Sequence, residues 1–318
     1  MQQENLVTIL MATYNGEKYL VQQLESIIEQ THQNWRIFIS DDGSEDGTMD
    51  LIKDYQKKYP EKMKLFDSGH RFGSACGNFF FLLQQAVDNN SEYIMFCDQD
   101  DVWIRDKIAL TLNEMKNTEE KTKPKQPVLV FTDLEVVDEH MSTISSSFMQ
   151  YSKLRGDRIH LNYLLAQNVV TGCTAMANLH LGKLSLKFLD KQDILMHDWW
   201  MALVAAAFGS IVYIDSKTVK YRQHSKNAVG AKNVNNLKYL LKKVFFENNI
   251  RNSMGRSMLQ AKQFYNSYQK QLNLQDCFIV KGFGELSHYN KLYRIAFIIK
   301  YKMLKFGFFR KIAQIIWI

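Results

Sequence analysis

No run of 18 apolar residues occurs anywhere in the 318-residue chain, so no segment is expected to span a membrane. The four cysteines (Cys76, Cys97, Cys173, Cys277) are too widely spaced for a metal-binding pattern. They are expected as free thiols in a reducing cytoplasm. The N-terminus carries no charged leader ahead of an apolar stretch, because "LVTILMATY" from Leu6 already reads as a strand. A secretory signal is therefore not expected. Internal repeats and low-complexity tracts are missing as well. The glycine- and acid-rich stretch "SDDGSEDGT" (residues 40–48) has neither the GxGxxG spacing of a dinucleotide site nor the GK[ST] of a P-loop.

What is present is a globular composition, with 46% hydrophobic and 23% charged residues. The net charge of +7 conceals two unlike regions. Residues 1–233 carry 25 Lys and Arg against 30 Asp and Glu, whereas residues 234–318 carry 15 against 3. An acidic front and a basic tail argue against a uniformly basic nucleic-acid binder. They suggest a first domain over 1–230 and a basic helical region over 231–318.

Short apolar runs at 7–12, 35–40, 63–66, 93–97 and 128–132 alternate with amphipathic stretches at 18–30, 47–59, 76–89 and 106–116. This rhythm predicts an α/β fold, a mostly parallel sheet with helices on both faces. Ligands of such sheets bind beyond the carboxyl ends of the strands. Three polar clusters fall there: "TYNGE", "DDGSEDG" and "DQDD". Further on the pattern is less regular. Residues 145–156 read as a mobile loop, 172–178 and 210–215 as short strands, and 199–208 as a helix.

Each cluster has a chemical reading and a bland one. "ATYNGE" can hold a nucleotide against its backbone and the following helix N-terminus, or serve as a plain turn. A carboxylate of "SDDGS" can accept the imide N–H of uracil or thymine while its neighbours cap a helix. In "DQDD", Asp98 and Asp100, with Asp101 beside them, present hard oxygens suited to Mg²⁺ or Mn²⁺ shared with a diphosphate; the alternative is a solvated acidic turn. Asp198 of "HDWW" is either a general base beside an aromatic platform or the cap of a core helix. In "YRQHSKN", Arg222, His224 and Lys226 suit phosphate, and a neutral imidazole could also ligate metal.

Taken together and in this order, "TYNGEKYLVQQLESIIEQTHQNWRIFISDDGSEDGT", "FCDQDDVWIRDK", "GCTAM", "HDWW" and "YRQHSKNAVG" resemble family 2 glycosyltransferases. The resemblance covers roughly residues 6–230, and "DQDDVW" with "YRQH" is most similar to the bacterial rhamnosyltransferase branch. It implies a GT-A fold, a Mn²⁺ or Mg²⁺ cofactor and inverting transfer from a nucleotide-diphosphate sugar, dTDP-L-rhamnose first. It also implies a saccharide acceptor, lipid-linked, in cell-wall or capsular polysaccharide synthesis. By the same resemblance Thr13, Tyr14, Asn15 and Asp42 hold the nucleoside, with Asp41 the neighbouring alternative. Asp98, Asp100 and Asp101 stand at the metal and ribose-diphosphate motif, His224 at a late metal or diphosphate contact, and Asp198 at the catalytic base. The family's Glu before that base is His197 here, and the Gln-x-x-Arg-Trp motif of processive members is absent. A UDP-sugar donor is the alternative within the class. A nucleotidyltransferase, which would need a basic glycine-rich loop after the first strand, and a non-catalytic binding module are the more distant ones.

The tail "KLYRIAFIIKYKMLKFGFFRKIAQIIWI" (residues 291–318) mixes apolar residues with regularly placed Lys and Arg. That composition suits an amphipathic helix on the anionic inner face of the cell membrane, or one packed on the catalytic domain or on a second subunit.

Overall fold

The computed structural model describes residues 5–187, 194–224 and 247–318. Its first half is built by period-two burial. In β1 (Val7–Thr13), Val7, Ile9 and Met11 enter one hydrophobic layer and Leu10 the other. The chain continues through α1 (Glu17–Ile28), β2 (Trp35–Asp41), α2 (Thr48–Lys58), β3 (Met63–Leu65), α3 (Ala75–Asp88) and β4 (Tyr93–Cys97). It follows the expected strand–helix rhythm throughout this stretch. Ile94 and Phe96 of β4 join Leu10, while Met95 and Cys97 join Ile9, so both sheet faces are dry. At about 25 cal/mol per Å² of apolar surface removed from water, two such faces outweigh any local propensity.

The second half is less regular: β5 (Val102–Trp103), α4 (Lys107–Lys121), β6 (Val128–Val137), β7 (Thr143–Ser145), α5 (Phe148–Tyr151), α6 (Leu161–Ala166), a 3-10 turn at Gly172–Thr174, β8 (Met176–Asn178), α7 (Leu179–Lys187), α8 (His197–Phe208) and β9 (Ser210–Arg222). The sheet order is β3-β2-β1-β4-β8-β6-β9-β5, with β7 on β6. β1 to β4 run parallel, and so do β6 and β9, whereas β8, β5 and β7 are antiparallel insertions. The sheet is therefore parallel in its first half and mixed in its second.

The stretch expected as a mobile loop contains α5. Asp133 holds it by accepting from the Ser147 hydroxyl and, at 3.1 Å, from the Met149 amide. The strand expected at 210–215 runs on to Arg222, because Thr218, Val219 and Tyr221 are buried against the neighbouring strands.

Beyond the described gap lie α9 (Glu247–Tyr268), α10 (Leu274–Gly284), α11 (Lys291–Lys300) and α12 (Phe308–Trp317). The boundary expected near residue 231 lies outside the described residues. Phe264, Tyr268, Phe283, Phe297 and Ile298 share one hydrophobic cluster with Leu10 and Phe96 of the sheet. The basic tail thus completes the core on that face. Its last 28 residues form two helices, broken before Gly307, whose φ of +98° suits glycine. Among the described residues no helix is long and apolar enough to cross a membrane.

Candidate active site

Parallel pairing sets the geometry. Thr13 lies opposite Asp41, and Met11 opposite Cys97, so the turns after β1, β2 and β4 share one sheet edge. β9, parallel to β6, brings Arg222 and His224 to the same edge.

The turn after β2 is organised by Asp41. Its carboxylate accepts from the Gly43 amide at 3.0 Å, the Ser44 amide at 2.7 Å, the Ser44 hydroxyl at 2.6 Å and the Thr13 hydroxyl at 2.8 Å. Asp41 is thereby committed to the loop. Asp42 accepts from the Phe72 amide through Oδ1, and among the described residues no donor meets its Oδ2. Gly43 sits at φ +82° with the Arg71 side chain against it, closer than any Cβ would allow. Asn15 bridges the two turns, donating its amide to Ser44 Oγ and accepting from the Glu45 amide, both at 2.8 Å. Tyr14 projects outward at 52% exposure. Gln99 grips its backbone from the acidic turn, accepting from the Tyr14 amide at 2.9 Å and donating to its carbonyl at 2.8 Å.

The acidic turn is largely enclosed. Asp101 is fully buried; Oδ1 accepts from the Arg222 amide at 3.0 Å, and among the described residues Oδ2 has no hydrogen-bond partner. Oxygens of Asp98 and Asp101 and the Cys173 sulfur lie within 4.8 Å of one another. Burial, then the Asp100 and Asp198 carboxylates, pushes Asp98 up to about 7. Asp101 is raised for similar reasons, with Asp100 and Asp98 as its charged neighbours. Burial likewise pushes up the Cys97 and Cys173 thiols. Lys107 lies behind the cluster, buried, its Nζ 4.6 Å from the Trp103 ring centre and without a hydrogen-bond partner among the described residues. Desolvation lowers it to about 8. His224 Nε2 reaches Asp100 Oδ2 at 2.7 Å, and its ring stacks on Tyr19.

Arg222 does not offer the free guanidinium that a phosphate contact would need. It is buried, donating to the Asp100 carbonyl (2.8 Å), the Glu139 carbonyl (2.8 Å) and Gln22 Oε1 (2.6 Å) over the Tyr19 ring. It is a strut that holds the acidic turn to α1. Lys226 lies outside the described residues.

Asp198 stands in the first turn of α8, whose cap is Met196, so it is not the helix cap. Its Oδ2 accepts from the Gly172 amide at 3.0 Å, and its Oδ1 from Asn168 Nδ2 at 3.3 Å and from the Trp199 amide. Burial pushes it up to about 6 against the pull of the Trp199 and Gly172 amides. A Cβ on Gly172 would come within 2.8 Å of His197 Nε2, so only glycine fits the approach. His197 packs against the Phe79 and Phe96 rings, and burial lowers it to about 3, a neutral imidazole. The expected aromatic platform is divided: Trp200 is a core residue, its indole N–H donating to the Ser185 carbonyl, and Trp199 is half-buried.

Asn168, Gln99 and Lys107 escaped the sequence reading. Gln99 had a signal, as the one amide inside an acid cluster; Asn168 had none, because the residues around it lack periodicity.

Comparison with known proteins follows the same lines. The profile of glycosyl transferase family 2 matches residues 8–122. The chain is 33% identical to the dTDP-rhamnosyl transferase RfbG of Shigella flexneri over 231 residues, 70% of this chain and 74% of that protein. It is 30% identical to the UDP-Glc:alpha-D-GlcNAc-diphosphoundecaprenol beta-1,3-glucosyltransferase WfgD of Escherichia coli over 110 residues, 35% of this chain and 41% of that one. The fold matches that of Staphylococcus aureus TarS 1–349 in complex with UDP-GlcNAc at a TM-score of 0.53 and 14% identity, covering 97% of this chain and 90% of TarS.

Proposed function

The chain belongs to glycosyl transferase family 2, and from that premise we propose an inverting transfer of L-rhamnose from dTDP-L-rhamnose to a saccharide acceptor. The observation that carries this reading is the meeting, on one sheet edge, of the Tyr14–Asp42 turns, the acidic turn and Asp198. RfbG, matched over most of its length and named a dTDP-rhamnosyl transferase, supports rhamnose as the sugar.

In this reading the thymine sits by Tyr14, its imide N–H directed to Asp42 Oδ2, with Thr13 and Asn15 shaping the turns. Asp198, ionised, takes the proton of the acceptor hydroxyl as that oxygen attacks the anomeric carbon and the nucleoside diphosphate leaves from the opposite face. Gly172 and Asn168 aim its carboxylate. The acidic turn fits a divalent cation: Asp101 has an orphaned buried oxygen, Asp98 lies beside it, and both acids are pushed up where no cation offsets them. Asp98 and Asp101, with Asp100 and His224 adjoining, would hold Mg²⁺ or Mn²⁺, hard ions matched to carboxylate oxygens rather than to the Cys173 thiol. When bound, the ion offsets the charge developing on the leaving diphosphate.

The acceptor proposed is a lipid-linked saccharide of a bacterial surface polysaccharide, met at the cytoplasmic face of the membrane. The resemblance covers residues 6–230, and a catalytic domain of 1–230 with a basic helical region of 231–318 is the division proposed. A UDP-sugar donor is the second reading, favoured by the WfgD match and its UDP-glucose substrate. The test is a donor panel with Mg²⁺ or Mn²⁺, scoring nucleoside diphosphate release. Faster release from dTDP-rhamnose than from UDP-glucose, UDP-galactose or UDP-GlcNAc is expected; the reverse order overturns the choice of sugar.

A further inference from the structure

Helix α11 carries an apolar ridge on the side facing away from the core. Phe297 and Ile298 point inward and are buried, whereas Leu292, Ala296 and Ile299 share the opposite side, with Leu292 82% and Ile299 52% exposed. Such a stripe is the reverse of what a solvated helix face carries. Phe278 of α10 lies beside the Phe297 and Tyr301 rings, on the side of α11 away from the ridge. Lys291 Nζ reaches the Ile316 carbonyl of α12 at 2.8 Å. Residues 291–318 contain seven Lys and Arg and no Asp or Glu.

We infer that the outer face of α11, with α12 beside it, docks the enzyme on an anionic lipid bilayer, Leu292 and Ile299 entering the headgroup boundary while lysines of the same segment meet lipid phosphates. A segment that pairs an exposed apolar ridge with seven cations and no acid over residues 291–318 complements such a surface, since burial and attraction then act together. A second copy of the chain would bring the same seven cations against themselves. The inference rests on the membrane-borne acceptor proposed above and adds to it the surface that makes the contact.

Cutting off residues 291–318 would not test it, because Phe297, Ile298 and Met303 belong to the core. The experiment is flotation of the full chain with vesicles of 30% phosphatidylglycerol in phosphatidylcholine, against pure phosphatidylcholine. It compares the unaltered protein with L292E/I299E and with L292S/I299S, scoring folding by thermal melt and chemistry by nucleoside diphosphate release. The unaltered chain is expected to float with anionic vesicles and not with neutral ones. L292E/I299E should lose at least tenfold in bound fraction and L292S/I299S several-fold, with melting and donor turnover unchanged. Equal flotation of variants and parent overturns the inference, as does a parent that floats with neither vesicle. So does a parent that sediments as a dimer dispersed by the same changes, which would assign the ridge to a second copy. Donor turnover reads the glycosyl-transfer proposal separately, so either can fail alone.

Discussion

His224 Nε2 lies 2.7 Å from Asp100 Oδ2, joining the segment that follows β9 to the acidic turn that follows β4. Arg222, two residues earlier, grips the same turn through the Asp100 carbonyl, and its amide serves Asp101. The acidic turn is thus held by the end of β9, and each tie should be visible in how the enzyme takes up the divalent cation proposed for it. His224→Ala removes a ring that, in that proposal, either ligates the ion or orients an acid that does. Losses at such positions run about 10–100-fold in metal affinity. The Mn²⁺ concentration giving half-maximal activity is expected to rise by about that factor, with the melt of the metal-free protein little changed. An unchanged metal titration would exclude His224 from the ion's surroundings.

As the proposed base, Asp198 gives a pH dependence with a definite sign. A base must be ionised to accept a proton, and burial holds this carboxyl up to about 6. Turnover with saturating donor is therefore expected to rise as pH increases through about 6 and to level above it. Asp198→Asn should keep donor binding by calorimetry and lose about 10²–10⁴ in transfer, with no acid limb remaining. Asn168→Ala removes a donor from the ionised form, so the carboxyl moves further up and the limb shifts to higher pH. A limb that stays where it was would mean that another group governs the profile.

Gln99 offers a split between binding and chemistry. Its amide closes a two-point clasp on the Tyr14 backbone, fixing an exposed ring proposed to cover the base. Gln99→Ala should raise KM for the nucleotide sugar several-fold while kcat changes little. Gln99→Glu can still accept from the Tyr14 amide but cannot donate to its carbonyl, so it should fall between. A loss confined to kcat would move Gln99 from the nucleoside to the reacting centre.

The parallel half of the fold was legible because its strands are short apolar runs, set between amphipathic stretches, that end in turn-forming polar clusters. From that followed the shared edge and the acids on it. What was not legible depends on contacts between distant segments. Asp41 and Asp42 look alike in sequence; only the packed turn commits one to Ser44 and Thr13 and leaves the other an open oxygen. Arg222 reads as a loop cation until β9, thirteen residues long, pairs with β6 and buries it. The basic tail reads as separate by charge, although its inward residues fill the sheet's open face, a match of surfaces that periodicity alone does not encode.

That match links the tail to α8 through Phe264. Its ring is fully buried on α9 and packs edge-on against Trp200, two residues after the proposed base, with centroids 5.5 Å apart. Tyr268 closes the group 4.8 Å from Phe264, its hydroxyl donating to the Leu184 carbonyl at 2.8 Å. Phe264→Ala leaves a cavity at the point where tail, α7 and α8 meet, and such truncations cost about 3–5 kcal/mol. A drop of that size in urea-unfolding free energy is expected, read by tryptophan fluorescence because Trp200 lines the cavity. Phe264→Leu, which refills most of the space, should recover the greater part. If tail and sheet unfolded in two separate steps, with only the first shifted by Phe264→Ala, they would be independent units despite the shared cluster. A single shifted transition would mark one cooperative core, with α8 and its Asp198 held in place by the tail.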